Sequence, residues 1–193
     1  QKILAEAVEE LRHDEFAGLF EEGRNDTIAF TPPDTQIDTD FELLIPDGYV
    51  SSSLERLRLY NTLTELKTSG ELARFAAQLR DRFGEPPRQV VDLLSSIELK
   101  WEASALGFEK LVMKKDVLRA HFPQDSSSAY YKSDIFTSIL AWGGNQAGRC
   151  RFEEKQQRTG QNGLVLRISG VNSLADAREV IDSLAGAALK KEP

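Results

Sequence analysis

Cysteine and long apolar runs are scarce in this sequence, and each shortage excludes a class of protein. Cys150 is the single cysteine among 193 residues, so no disulfide can form within the chain, as is usual in the reducing cytoplasm. No apolar run approaches the ~20 residues that a membrane-spanning helix requires. The sequence therefore predicts a cytoplasmic protein that has no membrane contact.

Sets of ligands for metals or nucleotides are also missing. His13, His121 and Cys150 lie far apart and without the paired spacing of zinc ligands, so both histidines are expected to be structural or solvated. The pair Gly143 and Gly144 follows a predicted helix instead of opening one, which is the wrong order for a phosphate-binding loop. Paired carboxylates lie where solvated charge explains them. We expect no cofactor, no metal and no catalytic residue in this chain.

Positive charge is in deficit. The chain has 24 Lys and Arg against 31 Asp and Glu, a net charge of −7, and no run of Lys or Arg is longer than two. Binding to a DNA duplex requires a concentrated basic surface that displaces counterions, so nucleic acid is not the expected direct partner. Hydrophobic residues make up 40% of the chain, which is enough for a packed core.

The most strongly specified stretch is 71–87, which predicts a helix with both ends marked. Thr68 or Ser69 can cap its start, Gly84 supplies a left-handed end, and two prolines forbid continuation. Its apolar positions repeat with helical period and predict a buried stripe: Leu72, Phe75, Ala76, Leu79 and Phe83. The opposite face is a polar ridge that carries Arg74, Ala77, Gln78, Asp81 and Glu85.

Three further elements are predicted around that helix. Alternating apolar residues over 37–45 predict a strand with one covered face. Ser52 and Glu55 have the spacing of a capping box, and a helix up to Gly70 should bury Leu54, Leu57, Tyr60, Leu63 and Leu66. A third helix from Pro87 to Gly107 should bury Val90, Val91, Leu94, Ile97, Trp101 and Ala105.

The second half changes to strand periodicity. A hairpin is predicted over 111–122 with a turn at 114–116, then a short helix from Ser133 that Gly143 and Gly144 stop, two strands near 149–152 and 164–168, and a last helix capped by Ser173. Because helices and strands come in runs, the predicted class is α+β: a helical hairpin plus a third helix, then a small, mainly antiparallel sheet with helices packed on it.

The pattern also predicts a division of the chain. Residues 1–35 are expected to be a connecting helix and linker, 36–107 a strand plus three-helix core, and 108–193 the α+β second half of the same domain. Because the apolar pattern of residues 1–23 begins without a cap, we expect the chain to be a fragment of a larger protein.

Three motifs occur together: Leu44 to Val50 (LIPDGYV), Glu55 to Tyr60 (ERLRLY) and Leu79 to Pro87 (LRDRFGEPP). In this order and spacing they resemble the C-terminal (TRCF) domain of bacterial transcription-repair coupling factors. The resemblance is close over 36–107 and weak beyond Phe108. Residues 1–23 resemble the helix that leads out of that family's translocation module.

The resemblance implies a function that composition does not. Full-length members of the family are DNA translocases, driven by ATP with magnesium, that displace stalled RNA polymerase and recruit the excision-repair protein UvrA. Their C-terminal domain is regulatory, since it packs on the UvrB-like, UvrA-binding module of the same polypeptide and masks it. Their motor motifs lie upstream, so the resemblance implies no enzymatic activity in this stretch.

We therefore predict that the helix ridge forms this contact through four residues, Arg74, Gln78, Asp81 and Arg82. An ordinary solvated helix face is the simpler interpretation of the same residues. Two other functions stay open on the sequence: an enzyme domain with a site near Trp142 to Asn145, and an oligomerisation module that uses the apolar stripe of residues 1–23.

Overall fold

A computed structural model describes residues 30–156 and 162–189. Its helices are α1 (Ser53–Glu65), α2 (Ser69–Phe83), α3 (Arg88–Ala105), α4 (Asp134–Asn145) and α5 (Leu174–Ala188). Its strands are β1 (Gln36–Thr39), β2 (Lys110–Lys114), β3 (Val117–His121), β4 (Cys150–Gln156) and β5 (Asn162–Ser169). The predictions for residues 1–23 and for the connection between β4 and β5 lie outside the described residues.

The described chain forms two compact units. Residues 40–99 form a helical unit, and residues 30–39, 100–156 and 162–189 form a sheet unit, so α3 contributes residues to both. The boundaries predicted from sequence, after residues 35 and 107, are placed differently and remain a prediction.

The helical unit contains α1, α2 and the first part of α3. A three-residue connection joins α1 to α2, as a helical hairpin requires. Burial selects one face of each helix because apolar side chains repeat there. The buried apolar residues of this unit are Ile45, Val50, Leu59, Leu63, Leu72, Phe75, Leu79, Val90 and Leu99.

Three predictions for residues 37–70 were wrong. The strand over 37–45 is only β1, and the chain bends after Thr39. Helix α1 ends at Glu65 instead of near Gly70. Its buried face holds Leu59 and Leu63, whereas Leu54 and Leu57 are exposed, because Arg56 and Tyr60 turn toward the preceding loop and bond to it.

The buried face of α3 also differs from the predicted one. Val91 is exposed, and Leu94, Ile97, Trp101 and Ala105 are only partly buried. Val90 is buried as predicted, but the other buried positions, Ser96, Leu99 and Ala103, lie outside the predicted stripe. The predicted stripe failed because apolar residues occur around most of this helix, so periodicity did not select one face.

The sheet unit holds a five-stranded sheet in the order β1-β2-β3-β5-β4. β1 runs parallel to β2, and every other neighbouring pair is antiparallel. The β2–β3 hairpin turns at Lys115 and Asp116, which have φ of 53° and 58° as a two-residue type I′ turn demands. The hairpin and the later strands were predicted correctly, and the α+β class is confirmed.

Helices α4 and α5 pack together, and α4 also contacts β4. Both helices begin where the sequence predicted, and the predicted cap at Ser173 is confirmed, since its hydroxyl accepts a hydrogen bond from the Asp176 N–H (3.1 Å). The Ser133 hydroxyl caps α4 in the same way, accepting from the Phe136 N–H (3.2 Å). An aromatic cluster fills much of this core: Phe108, Phe122, Tyr130, Tyr131 and Phe136.

Helix α4 does not stop at the glycine pair. It continues to Asn145, and Gly143 lies inside it, beneath the Phe152 ring. A Cβ at residue 143 would come within 2.7 Å of that ring, so glycine is needed here for close packing rather than for a helix end.

Candidate functional site

The ridge of α2, defined as Arg74, Gln78, Asp81 and Arg82, lies on the exposed face of the helix. All four residues are exposed, while Leu72, Phe75 and Leu79 on the opposite face are buried. Within the described chain, the side chains of Gln78 and Asp81 form no hydrogen bond or ion pair. The exposed face of α2 was predicted from sequence, and it presents charges of both signs to solvent, with Gln78 and Asp81 available to a partner.

A capping box fixes the start of α2. The Glu71 N–H donates to the Thr68 hydroxyl (3.2 Å), and the Glu71 carboxylate accepts hydrogen bonds from the N–H groups of Lys67 (2.9 Å) and Thr68 (3.1 Å). These hydrogen bonds lower the pKa of Glu71, and the bond from the Lys67 N–H has the largest effect. The first turn of α2 is thereby held mainly by Thr68 and Glu71. The ridge adds one hydrogen bond there, from Arg74 Nε to the Gly70 carbonyl (3.3 Å).

Tyr49 fixes the other end. Its hydroxyl lies 3.1 Å from the carbonyl oxygen of Leu79 and 2.9 Å from that of Gly84, and its ring lies 5.8 Å from the Phe83 ring. Gly84 has φ of 84°, and its N–H donates to the Arg80 carbonyl (2.9 Å), which closes the helix. Burial raises the pKa of Tyr49.

Two side chains of α1 anchor the loop that carries Tyr49. Arg56 donates to the carbonyl oxygens of Val50 (2.6 Å) and Ser51 (3.2 Å), and the Tyr60 hydroxyl accepts from the Ile45 N–H (2.7 Å). The three sequence motifs are thus joined by hydrogen bonds between side chains and backbone. They specify the support of the ridge, and sequence alone gave no reason to expect this.

Arg82 is the ridge residue with the most contacts. Its Nη2 lies 2.7 Å from Glu55 Oε1 in α1, and its guanidinium lies 4.9 Å above the Phe83 ring. The capping-box prediction for Glu55 was therefore half right: its N–H donates to the Ser52 hydroxyl (3.3 Å), but its carboxylate turns to Arg82. The sequence gave no signal for this link between the helices.

The other candidate residues do not come together. Cys150 is buried, and burial raises the pKa of its thiol, whereas His121 lies in β3. The Trp142 indole N–H donates to the Ser183 hydroxyl (3.2 Å) from within α4, so this region is helix and not an open loop. Residues 30–156 and 162–189 contain no group of three His, Cys, Asp or Glu side chains placed to hold a metal.

The same residues contain no helix that is long and apolar enough to cross a membrane.

Comparison with known proteins gives three consistent findings. Residues 39–133 match the family model of the TRCF domain. The match extends past Phe108, where the sequence motifs had led us to expect only weak similarity. The additional residues include β2, β3 and the buried Tyr130 and Tyr131.

The chain is similar to proteins named transcription-repair-coupling factor. The Bacillus subtilis protein is 26% identical over 166 residues, which are 86% of this chain and 13% of that protein. The Myxococcus xanthus protein is 37% identical over 97 residues, and the Escherichia coli protein 32% over 81 residues. These alignments cover 8% and 7% of the two relatives, so the chain corresponds to a small part of each.

A solved structure has the same fold. The crystal structure of the C-terminal domain of transcription-repair coupling factor superposes with a TM-score of 0.60 at 18% identity. The superposition covers 84% of this chain and 99% of that domain.

Proposed function

Because this chain belongs to the transcription-repair coupling factor family and carries its TRCF domain, we propose that it is a regulatory domain. It binds the UvrA-binding module of its own polypeptide through the ridge of α2 and masks that module from UvrA. The observation that carries the proposal is the exposed ridge on a helix whose two ends are fixed mainly by residues outside the ridge.

The chemistry of the ridge suits a contact that must be released. It offers two cations, one carboxylate and one amide, all exposed, so docking depends on polar complementarity and buries little apolar surface. Contacts of this kind between domains are modest in free energy, and a conformational change of about a few kcal/mol displaces them.

The remaining activities belong to the parent polypeptide. There the domain works beside an ATP- and magnesium-dependent motor that translocates on DNA in the cytoplasm, displaces stalled RNA polymerase and recruits UvrA. The domain itself performs no reaction in this proposal.

The first test is binding in trans of the 193-residue chain to the isolated UvrA-binding module, measured by calorimetry. We expect binding, and we expect Arg74→Glu with Asp81→Lys to weaken it about tenfold, which is the loss of about 1.4 kcal/mol. The matched control reverses another cation and acid, Arg88→Asp with Asp92→Arg on α3, and should bind as the wild type does. No binding, or equal losses in both variants, would exclude the ridge.

The second test uses the parent polypeptide. The Arg74→Glu, Asp81→Lys variant should bind UvrA more tightly than the wild type, because the masked surface is released. Unchanged affinity for UvrA would contradict the masking role even if the ridge binds in trans.

A further inference from the structure

One face of the sheet carries a row of cations, which we call the basic row: Lys110 and Lys114 of β2, Arg119 of β3, Arg167 of β5 and Arg151 of β4. Arg119 pairs directly with Arg167, and Arg167 pairs with Arg151, so the three guanidinium side chains leave the same face on three adjacent strands. The alternate residues of β3, Leu118 and Ala120, are completely buried on the other face.

The basic row is accessible. Arg151 is exposed, and the side chains of Lys110, Lys114 and Arg167 are between 33% and 42% exposed. Arg119 is half-buried. Long cationic side chains in such positions keep the charged head in water while their stems cover apolar surface. A partner approaching this face would meet the charges first.

Positive charge on this face exceeds negative charge. Lys110 and Lys114 share Asp38, at 3.6 and 2.8 Å, and Arg167 lies 3.9 Å from Glu153. Arg119 and Arg151 form no ion pair with any side chain in the described ranges. Five cations against two carboxylates leave an excess of 5 − 2 = 3 positive charges, in a chain whose net charge is −7.

We propose that the basic row is a docking site for an acidic helical segment of a protein partner, laid across the strands. Neighbouring strands lie ~4.8 Å apart, so Arg119, Arg167 and Arg151 form a row with about that spacing. Acidic side chains at i, i+3 or i+4 and i+7 of a helix recur every ~5–6 Å along one face and match it. Arginine side chains in the row can pair with carboxylates through two parallel hydrogen bonds.

The observations favour a polypeptide over nucleic acid. The described residues of the five strands that share this face include no Phe, Tyr or Trp. His121, opposite Lys110, is the one ring among them, so the stacking surface for unpaired bases is small. A DNA duplex extends well beyond the four strands of the basic row, and the rest of this acidic chain would repel its phosphates. A short acidic helix can contact the basic row without approaching the acidic remainder of the chain.

This surface is not visible in the sequence because its residues are remote in the chain. The cations belong to four strands spread over residues 110–167, and each alternates with core residues, so no basic run is visible. Only the register of the sheet brings them together.

The test titrates the 193-residue chain with a labelled helical peptide that has Glu at i, i+4, i+7 and i+11 and Ala, Gln and Lys elsewhere. A peptide with Gln at the four Glu positions and a short duplex DNA are the comparison probes. At about 50 mM salt, where surface charges are weakly screened, the Glu peptide should bind at least about tenfold more tightly than the Gln peptide.

Variants then assign the binding to the basic row. Arg119→Gln with Arg151→Gln should weaken binding of the Glu peptide about tenfold, and Arg119→Lys with Arg151→Lys should retain most of it. Lys132→Gln, which removes one exposed cation from the 3-10 turn Ala129–Lys132, is the matched control and should have no effect. Circular dichroism and the melting temperature confirm that each variant is folded.

Three outcomes would overturn the proposal: equal affinity for the Glu and Gln peptides, unchanged binding in the Gln variant, or tighter binding of duplex DNA that the same variant abolishes. The last outcome would assign the face to nucleic acid. The proposal is independent of the ridge, so Arg74→Glu with Asp81→Lys should bind the Glu peptide normally even if that variant fails with the UvrA-binding module.

Discussion

The helical unit and the sheet unit are stabilised by different kinds of contact. In the helical unit, Tyr49, Arg56 and Tyr60 each bond to a particular backbone group, and these bonds fix the loop and the helix ends. In the sheet unit, apolar strands and a cluster of aromatic rings supply most of the buried surface. The first kind of contact tolerates few substitutions, whereas the second accepts many apolar side chains of suitable size.

This difference explains why the sequence motifs of the family lie in the helical unit. A hydrogen bond from a side chain to one particular backbone group requires one residue type at that position. The motifs therefore cluster within 44–87, where such bonds occur. A packed core leaves only a periodic pattern of apolar residues, which many unrelated sequences share. The sheet unit still contains specific positions, and Gly107 beside Tyr130 is the clearest.

The largest expected effect is Gly107→Ala in the sheet unit. Gly107 has φ of 83°, and a Cβ there would lie 2.1 Å from the Tyr130 ring. Overpacking and the left-handed backbone should together cost about 3 kcal/mol of the free energy of unfolding, measured by urea titration.

The matched change in the helical unit is Gly84→Ala, which measures the cost of the left-handed backbone conformation without a steric clash. Gly84 has φ of 84°, but nothing lies within 4 Å of the added Cβ, so about 1 kcal/mol is expected. Gly148→Ala, with neither strain nor a close neighbour, should be neutral. Equal costs for Gly107 and Gly84 would contradict the packing argument.

The second prediction concerns alkaline pH and the sheet unit. Burial raises the pKa values of Tyr130 and Tyr131 far above 10.0, and nearby Glu109 contributes for Tyr131. Above pH 10.0 the unfolded chain loses these protons while the folded chain retains them, so stability is full below that pH and falls above it. The expected slope is about 1.4 kcal/mol per pH unit for each tyrosine.

Thermal unfolding between pH 8 and 11 measures this slope. Tyr130→Phe should be less stable than the wild type at pH 8, because the hydrogen bond to the Leu106 carbonyl is lost, and should show a shallower alkaline decline. A decline of unchanged steepness would show that Tyr130 is not responsible.

The third prediction compares two hydroxyl groups of the helical unit. Tyr60→Phe leaves the buried Ile45 N–H without its acceptor and should cost about 2 kcal/mol. Tyr49→Phe removes the hydroxyl from the carbonyl oxygens of Leu79 and Gly84, and water can replace it at the exposed Gly84, so about 1 kcal/mol is expected. Amide hydrogen exchange should place both losses in residues 40–99, and the opposite ranking would contradict the burial argument.

The smallest expected effect is Arg82→Ala. The Arg82–Glu55 ion pair is exposed, so its loss should change the free energy of unfolding by about 0.5 kcal/mol or less. Arg82→Lys separates charge from geometry, because it keeps the positive charge but not the planar guanidinium. A loss of several kcal/mol in Arg82→Ala would mean that the ridge supports the fold itself.

Sequence reasoning succeeded where local chemistry decides the structure. The caps at Thr68 and Ser173, the start of α4 at Ser133 and the end of α2 at Gly84 follow from one or two side chains each, and the structure confirms them. The exposed ridge was predicted for the same reason, since one apolar stripe defines both faces of α2.

Sequence reasoning failed where distant contacts override local pattern. Leu54 and Leu57 have core spacing but are exposed, since Arg56 and Tyr60 are needed at the loop. Gly143 resembles a helix end but is required by the Phe152 ring, which is nearby only in the folded chain. The basic row depends on sheet register, which periodicity does not specify.

The link between Arg82 and Glu55 has one more consequence. Glu55 belongs to the first turn of α1, where its N–H bonds to Ser52. An acidic group that takes the Arg82 guanidinium for itself would release the Glu55 carboxylate and disturb that turn. The backbone signals of Ser52 and Glu55 in a nuclear magnetic resonance spectrum would then shift when a partner binds the ridge of α2. Binding could thus be detected in α1 without a label on the ridge itself.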